Sequence, residues 1–318
     1  MTLSVIIVSF NTREMTLDCL RTLESDLAGI PSDVWVVDNA STDGSADAIR
    51  ESFPNVRLVE CNFNVGFGAA NNIAMRQARG RYFLLLNSDA FPLPGAIPSL
   101  IAYLDSHRQA AVVGPRLLNK DGSLQVSCYK FPTPLRAWLE NLWISAAFPR
   151  HSGIGDYRFW PHDSERGVDF LIGACMLVRR ETFEQTGGFD ERFFMYSEET
   201  DWQRRIRNRG WEIAFTPEAR VTHLGGASGA SDKKNINRFF MESLDRYVLK
   251  HHGPLGFVSF RCAMVVGCAL RAVLWAGMAI RPRSRSVALA KMRGHLSLTR
   301  RQATEWPLWR STGKQQTA

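Results

Sequence analysis

Short, unbroken apolar runs alternate with stretches of helical spacing through the first third of the chain. The apolar runs occupy residues 3–10, 34–38 and 82–86, and a shorter mixed segment at 56–61 predicts one further strand. Runs of this kind are typical of strands buried on both faces of a parallel sheet. The intervening segments predict helices at 15–27, 45–52 and 69–78. This alternation predicts a doubly wound, mostly parallel α/β sheet.

The middle of the chain has a less regular pattern. It predicts a helix near 99–105, strands at 111–114, 170–178 and 211–215, and a helix at 198–209. Ser197 is the expected N-cap of the last helix. The sequence NKDGS at 119–123 predicts a hairpin turn. Residues 131–168 are aromatic and irregular, and we expect this long insert to be functional or mobile.

Polar side chains end two of the predicted strands. Asp38 ends the second strand, and Asn87, Ser88 and Asp89 follow the run at 82–86. Open α/β sheets bind ligands at the carboxyl ends of their strands. A carboxylate there can hold a divalent cation against a diphosphate, because hard cations prefer oxygen ligands. An ordinary Asn-Ser-Asp turn would have the same sequence.

A second acidic cluster, Glu198, Glu199 and Asp201, opens the helix that follows Ser197. These acids are candidates for proton transfer, although acids in a first helical turn also stabilise the helix dipole. His223 follows the last predicted strand, where a lone histidine is either structural or a metal ligand.

Charge is distributed unevenly along the 318 residues, which carry a net charge of +8. Residues 250–318 contain twelve Lys or Arg and a single acid, Glu305, so the rest of the chain is slightly acidic. A basic tail suggests an anionic membrane or nucleic acid as its partner. The six cysteines are scattered, which argues against a disulfide framework or zinc site. The chain starts in a strand without a leader pattern, so we expect a cytoplasmic protein.

A dinucleotide-binding fingerprint is missing from the place where it would occur. No GxGxxG sequence follows the first predicted strand, and Gly66-Phe-Gly68 follows the third. This excludes the common NAD-dehydrogenase pattern. Two alternatives remain open: a nucleotidyltransferase that makes a nucleotide sugar, and a non-enzymatic nucleic-acid-binding protein. The first lacks a Gly-rich basic loop after the first strand, and the second lacks a recognised motif.

The ordered motifs resemble family 2 glycosyltransferases of the GT-A fold, and most of all the bacterial rhamnosyltransferase-like branch. Four stretches within residues 2–230 carry the likeness: VIIVSFNT, VVDNASTDGS, NVGFGAANN with LLLNSDA, and GGFDERFFMYSEETDWQRRIRNRGW. The resemblance implies a nucleotide-diphospho-sugar transferase fold with a C-terminal helical extension. We divide it into a nucleotide-sugar-binding half (1–118), an acceptor-binding and catalytic-base half (119–235), and a basic, amphipathic tail (236–318).

The resemblance also implies roles for individual residues. Asp38 would bind the uracil or thymine edge of the donor. The remaining donor contacts would be Phe10, Asn11, Asn64, Gly66, Asn71, Asn87 and Ser88. Asp89 and His223 would hold Mg²⁺ or Mn²⁺, and Asn87 stands where the family often has Asp. Glu199 would be the general base, with Glu198 or Asp201 able to share that role.

The implied activity is inverting transfer of a sugar to a hydroxyl of a cell-envelope glycan or polyprenyl-diphosphate-linked saccharide. The branch favours rhamnose from dTDP-rhamnose, with a UDP-sugar as the other donor class. Residues 255–280 are mostly apolar but are interrupted by Arg261 and Arg271. Because two arginines are costly in a bilayer core, we expect an interfacial helix at the inner face of the plasma membrane. Packing of this helix on the catalytic body and a true membrane span are the alternatives.

Overall fold

The computed structural model describes residues 1–151, 153–155, 157–225, 233–280 and 285–305. They form two compact units. Unit 1 comprises Met1–Phe131 and Trp160–Ser243, and unit 2 comprises Pro132–Phe159 with the described chain from Leu244 onwards. The predicted boundary between residues 118 and 119 falls inside unit 1 and remains a prediction.

The described residues contain twelve strands and ten α-helices. The strands are β1 (Leu3–Ser9), β2 (Ser32–Asp38), β3 (Arg57–Glu60), β4 (Tyr82–Asn87), β5 (Ala90–Pro92), β6 (Ala110–Leu118), β7 (Leu124–Gln125), β8 (Cys128–Tyr129), β9 (Arg166–Gly167), β10 (Phe170–Leu171), β11 (Cys175–Arg179) and β12 (Glu212–His223). The helices are α1 (Arg13–Asp26), α2 (Ser45–Ser52), α3 (Phe67–Gln77), α4 (Ala96–Ser106), α5 (Pro134–Asn141), α6 (Ile144–Ala147), α7 (Arg180–Thr186), α8 (Glu198–Asn208), α9 (Lys233–Met278) and α10 (Arg285–Thr304). A short 3₁₀ helix spans Tyr157–Phe159.

Unit 1 is built on one large sheet whose main order is β3-β2-β1-β4-β11-β6-β12-β5. β1 pairs in parallel with β2 and β4, and β2 pairs in parallel with β3. β11 runs antiparallel to both β4 and β6, whereas β6 and β12 are parallel. The carboxyl ends of β1, β2, β4 and β12 therefore lie at one edge of the sheet. The prediction of an α/β fold with a mostly parallel sheet and a C-terminal helical region is confirmed.

The strand at the centre of this sheet is fully enclosed. Residues Tyr82–Leu86 of β4 are at most 2% exposed, which explains why side chains on both faces of the strand are apolar. Gly80, just before β4, lies so close to β1 that a Cβ atom would be 2.4 Å from the Ser4 nitrogen. Because both faces of β4 are closely packed, only the ends of the strand can present polar side chains to a ligand.

Two parts of the middle region differ from the sequence-based prediction. The predicted strand 170–178 is two strands, because β10 pairs with β8 while β11 enters the main sheet. The break at Gly173 separates them. The predicted strand 211–215 continues to His223, with a register irregularity between Thr216 and Arg220 around Pro217. The apolar pattern missed this extension because β12 lies near one side of the sheet and alternates polar with apolar residues.

The irregular insert is also more ordered than predicted. Thr133 caps α5 through a hydrogen bond to its hydroxyl from the Arg136 N–H, with Pro134 in the first turn. Within unit 2, α5 packs on the second half of α9, where Trp138 Nε1 donates to Ser259 Oγ (3.2 Å). Aromatic residues that looked irregular in sequence therefore serve helix packing.

The second half of α9 begins after a kink at Gly253, whose φ of 65° interrupts the helix before Pro254. Arg261 is 5% exposed and donates to Asp245 Oδ2 at 2.9 Å. The same guanidinium reaches the Arg301 carbonyl oxygen at the end of α10. Arg271 donates to Asn141 Oδ1 of α5 at 2.9 Å. Both arginines that interrupt the apolar tail are therefore bound inside unit 2.

One stretch of the described chain, Arg238–Met278, has the length and composition that a membrane span requires. That property alone is weak support for a span, because buried helices of water-soluble proteins share it. The basic run at residues 281–285 lies, apart from Arg285, outside the described residues.

Arg261→Met should destabilise unit 2 by about 3–5 kcal/mol, because it removes the guanidinium that pairs with the buried Asp245 carboxylate. We expect faster hydrogen exchange of the α10 amides, measured by mass spectrometry. Arg238→Met is the matched control, since Arg238 pairs with Glu242 on a surface where both side chains are about half exposed. The control should cost less than about 1 kcal/mol. Equal effects of the two changes would contradict this account of Arg261.

Candidate active site

Strand pairing brings two predicted metal ligands together at the carboxyl edge of the sheet. β5 pairs antiparallel with the end of β12, so that His223 lies opposite Ala90. The Leu224 N–H also donates to the Asp89 carbonyl at 3.0 Å. This register places Asp89 Oδ1 at 3.3 Å from His223 Nε2, and both residues are largely buried.

The orientation of the His223 ring is set by a residue that the sequence analysis missed. Gln125 of β7 places Oε1 at 2.6 Å from His223 Nδ1. The Gln125 amide nitrogen donates to Asn119 Oδ1 (3.1 Å) and to the His223 carbonyl (3.2 Å). Because both donor hydrogens are used, Oε1 is the atom that faces Nδ1 and accepts its hydrogen. Nε2 then carries the lone pair, 3.4 Å from the Asn87 amide nitrogen and 3.3 Å from Asp89 Oδ1.

Asn87 completes this group of side chains. Its Nδ2 atom lies 3.4 Å from His223 Nε2, and its Oδ1 atom is buried without a hydrogen-bond partner among the described residues. A carboxylate oxygen, an imidazole nitrogen and an unsatisfied amide oxygen suit Mg²⁺ or Mn²⁺. The described chain has no cluster of three or more His, Cys, Asp or Glu side chains suited to a metal. The residues present therefore fit a cation that takes its remaining ligands from substrate or water.

Asp38 ends β2 at the same edge. It is 3% exposed, and its Oδ2 accepts from the Ser41 N–H at 2.9 Å. Its Oδ1 is buried and has no hydrogen-bond partner in the described part of the chain. One carboxylate oxygen therefore holds the loop, and the other is available to a donor such as an imide N–H.

Asn11 connects the two loops beside Asp38. Its N–H donates to Ser41 Oγ (2.9 Å), and its Oδ1 accepts from the Thr42 N–H (2.8 Å). Asn11 adopts a φ of 51°, which Asn tolerates better than most residues. Phe10 precedes it and is half-buried. These contacts order the loops after β1 and β2.

Three predicted donor contacts make structural bonds instead of leaving their polar atoms open. Asn64 Oδ1 accepts from Asn39 Nδ2 (2.8 Å) and from the Gly66 N–H (3.0 Å). Gly66 has a φ of 90°, and a Cβ atom there would collide with the Phe194 carbonyl. Asn71 Nδ2 donates to the Phe67 carbonyl one helical turn earlier. These residues shape the entrance of α3, and their contact with a donor remains a prediction.

Ser88 is also engaged. It is 4% exposed, and its hydroxyl lies 3.0 Å from Thr12 Oγ1. Thr12 in turn contacts the hydroxyls of Ser9 and Thr16. This hydroxyl cluster fixes the turn after β4 against the start of α1.

Two buried carboxyl groups lie at the start of α8. A Cβ atom built at Gly68 would be 3.4 Å from Glu198 Cβ, and one built at Gly173 would be 3.7 Å from Glu199 Cβ. Gly173 precedes Ala174, whose carbonyl accepts from the Asn87 N–H. Glu199 therefore lies beside the loop that contacts the end of β4, while Glu198 faces α3.

The environment of these carboxyls favours their neutral forms. Oε2 of each is buried without a hydrogen-bond partner among the described residues. Burial raises the pKa of Glu199 to about 7. Burial, and then repulsion by Glu199, raises the pKa of Glu198 well above its usual value. Glu199 can thus gain and lose a proton near neutral pH, which a general base requires.

Asp201 and Ser197 have structural roles around this pair. Asp201 is fully buried and accepts from Arg205 Nε at 2.9 Å. Ser197 occupies the predicted N-cap position of α8, but its side chain makes no capping hydrogen bond. Ser197 instead adopts a φ of 61°, directly after Tyr196 with a φ of 68°. Two successive non-glycine residues in this region strain the backbone by about 1 kcal/mol or more each.

The beginning of α9 supports that strained turn. Ser243 Oγ donates to the Met195 carbonyl at 2.7 Å. The rings of Phe194 and Phe239 lie 5.2 Å apart, and those of Tyr196 and Phe240 lie 5.8 Å apart. These contacts hold the segment before α8 and thereby fix the position of its first residues, Glu198 and Glu199.

Gln203 and Asn72 are further anchors that the sequence analysis missed. Gln203 is fully buried and exchanges two hydrogen bonds with the backbone of Leu171, in the manner of a strand partner. Asn72 bonds the Phe189 backbone through both ends of its amide. Their only signal in the sequence is a polar residue inside an amphipathic helix, which does not reveal a partner that is 32 residues away for Gln203 and 117 residues away for Asn72.

Comparison with known proteins shows which families and structures this chain resembles. The family model described as glycosyl transferase family 2 matches residues 4–187. An N-acetylglucosaminyl-diphospho-decaprenol L-rhamnosyltransferase of Mycobacterium tuberculosis is 31% identical over 276 residues, covering 83% of this chain and 89% of the relative. The rhamnosyltransferase WbbL of Escherichia coli is 29% identical over 58% of this chain and 70% of its own length.

Solved structures with the same fold include enzymes of more distant sequence. The Pyrobaculum calidifontis mannosyltransferase PcManGT, in complex with GDP-Man and Mn²⁺, superposes with a TM-score of 0.53 at 18% identity. That superposition covers 95% of this chain and 87% of the mannosyltransferase. GalNAc-T7 with UDP, GalNAc and Mn²⁺ gives a TM-score of 0.54 at 17% identity, covering 78% of this chain and 47% of that enzyme. These matches support the GT-A fold.

Glu199→Gln should stabilise the protein at pH 8 and leave it unchanged at pH 4. The folded-state pKa of Glu199, about 7, exceeds its usual value of 4.5. Folding therefore takes up a proton between these values, and stability falls as pH rises through that window. Melting temperatures at both pH values measure the effect. The control, Glu24→Gln on an exposed surface, should leave the melting temperature unchanged at both pH values. A lower melting temperature for Glu199→Gln at pH 8 would contradict the assignment.

Proposed function

The chain belongs to glycosyl transferase family 2 and is a rhamnosyltransferase-like glycosyltransferase, and on that premise we propose that it transfers L-rhamnose from dTDP-rhamnose to a lipid-linked saccharide. The observation that carries the assignment of the site is the approach of Asp89 Oδ1 to His223 Nε2, 3.3 Å apart at the carboxyl edge of the sheet. The sugar and the acceptor are supported by the two rhamnosyltransferase relatives, one of which is named for a diphospho-decaprenol acceptor.

Donor recognition is proposed to begin at Asp38. Its buried Oδ1, which has no partner among the described residues, can accept the imide hydrogen of thymine or uracil. The loop held by Asn11 would border the same base, next to Phe10.

Asp89 and His223 are the proposed holders of Mg²⁺ or Mn²⁺, with Asn87 beside them. When bound, such a cation stabilises the negative charge that develops on the leaving diphosphate. Asn87 contributes an amide where the family often has a carboxylate, so the protein supplies less negative charge to the site. The fixed orientation of the His223 ring, set by Gln125, offsets part of that loss.

Glu199 is the proposed general base. Its carboxylate accepts the proton of the acceptor hydroxyl, and the hydroxyl oxygen attacks the anomeric carbon on the face opposite the leaving diphosphate. The carbon–oxygen bond to the diphosphate breaks, and the product is a glycoside of inverted configuration. We assign proton transfer to Glu199 alone, because Glu198 faces α3 and Asp201 is paired with Arg205.

The acceptor class also suggests the location of the enzyme. A saccharide on a polyprenyl diphosphate is presented at a membrane surface, and nucleotide sugars are supplied by the cytoplasm. We therefore propose that the enzyme acts at the cytoplasmic face of the membrane, where the basic tail meets anionic lipid.

Transfer should be detected with dTDP-rhamnose, a prenyl-diphosphate-GlcNAc acceptor and Mn²⁺. Glu199→Gln should lower turnover by about 10²–10⁴-fold while donor binding persists. Because the base must be ionised, wild-type activity should rise with pH to a plateau above about pH 7.

The matched control for this assay is Glu181→Gln, an exposed acid outside the site. Donor binding is followed by thermal shift with dTDP-rhamnose, UDP-glucose, UDP-galactose and GDP-mannose, each with and without Mn²⁺. If transfer occurs only from another donor, the proposed sugar would be wrong, but the proposed reaction would still be glycosyl transfer. Near-normal turnover of Glu199→Gln would overturn the role of Glu199.

Gln125→Leu should weaken Mn²⁺ binding about 10–100-fold in the presence of dTDP, because the His223 ring loses its fixed orientation. Electron paramagnetic resonance of free Mn²⁺ measures this directly and does not depend on turnover. Gln125→Glu keeps the acceptor for Nδ1–H and should retain most of the affinity. Gln77→Leu, on an exposed helix surface, is the control. Unchanged Mn²⁺ affinity in Gln125→Leu would rule out this positioning role.

A further inference from the structure

In the second half of α9 the charged side chains face inwards and apolar side chains face outwards, the opposite of an ordinary surface helix. Its two charged residues, Arg261 and Arg271, are bound inside unit 2 to Asp245 and Asn141. Every exposed residue from 254 to 280 is uncharged. The apolar side chains with the greatest exposed fractions are Leu255 (87%), Val273 (69%), Leu274 (56%) and Ile280 (83%).

We propose that this outward apolar face, residues 254–280, lies in the plane of a lipid bilayer with its side chains among the acyl chains. The face runs for about 40 Å along the helix axis. Exposed apolar side chains spread over this length, with no exposed charge among them, are rare on proteins surrounded by water alone. The face is free of exposed charge because Arg261 is buried and Arg271 is bound to Asn141.

The charges around the face fit an anionic membrane. No acidic residue occurs between residues 254 and 304. The following helix, α10, exposes Arg285, Lys291, Arg293 and Arg300. Basic side chains beside an apolar face are attracted to anionic headgroups. The same excess of positive charge disfavours pairing of this face with a second copy of itself.

The opposite side of the helix excludes a membrane span. Trp138 and Asn141 of α5 pack against Ser259 and Met264. Arg261 contacts the carbonyls at the end of α10. A helix crossing the bilayer would carry α5 and the basic α10 into hydrocarbon, where charged side chains are strongly disfavoured. With only its outward apolar face open to lipid, the helix lies at the interface.

The first test uses the full chain and vesicles of phosphatidylcholine containing phosphatidylglycerol. A triple variant, Leu255→Glu, Val273→Glu and Leu274→Glu, should lower vesicle partitioning about a hundredfold. The control adds the same charge to exposed polar positions of unit 1, with Ser25→Glu, Asn55→Glu and Gln77→Glu. Partitioning that falls equally in both would mean that net charge alone governs binding and would overturn the proposal.

The second test needs no disruptive substitution. Cys262 lies on the apolar face and is the exposed cysteine of the described chain, whereas Cys61 is half-buried and the others are buried. A nitroxide on Cys262 in a Cys61→Ser background should become accessible to oxygen and shielded from a water-soluble nickel complex when vesicles are added. Continued access of the nickel complex would overturn the proposal.

Two further outcomes would also overturn it. Dimerisation in solution that the triple variant abolishes would make a second copy the occupant of the face. Resistance of the bound protein to alkaline extraction would indicate a span. Transfer to a water-soluble acceptor analogue should be the same in the triple variant and the control, so failure of the proposed glycosyltransferase function would be seen separately.

Discussion

The pairing of β5 with the end of β12 is the constraint on which the candidate site depends. Asp89 belongs to the turn after β4, and His223 ends a strand on the far side of β11 and β6. Only the short antiparallel pairing, with His223 opposite Ala90, brings their polar atoms to 3.3 Å. A one-residue slip would turn His223 to the other face of the sheet. The hairpin that carries Gln125 reinforces the same arrangement by holding the histidine ring.

Electrostatics divides the site into two parts with different chemistry. Around Asp89 and His223, fixed amides and one carboxylate form a group suited to a cation and a diphosphate. At the start of α8, burial holds two carboxyls close to their neutral forms and leaves Glu199 near the proton affinity that a base needs at neutral pH. The strained turn at Tyr196 and Ser197 keeps these carboxyls in place, and the first turns of α9 support it.

Unit 2 follows a different physical logic. Its arginines are satisfied inside the unit, and its apolar side chains face outwards. In water this arrangement leaves a large apolar area exposed, whereas at a membrane the same area is buried in lipid. The proposed role of unit 2 is membrane binding, whereas the residues of the candidate site belong to unit 1.

The sequence by itself determined where the strands of the first half lie, because the apolar runs of β1, β2 and β4 obey local rules of burial. Its motifs, and the resemblance those motifs carry, also predicted Asp38, Asp89, Glu199 and His223 as site residues. Tertiary structure alone decided which polar atoms are occupied. Ser88 and Asn71 bond their own chain, whereas one oxygen each of Asp38 and Asn87 is left without a partner in the described chain. Other features depend on contacts between distant segments, which hydrophobic periodicity cannot reveal. They are the break between strands at Gly173, the contacts of Gln125 and Gln203, and the inward orientation of the two arginines of α9.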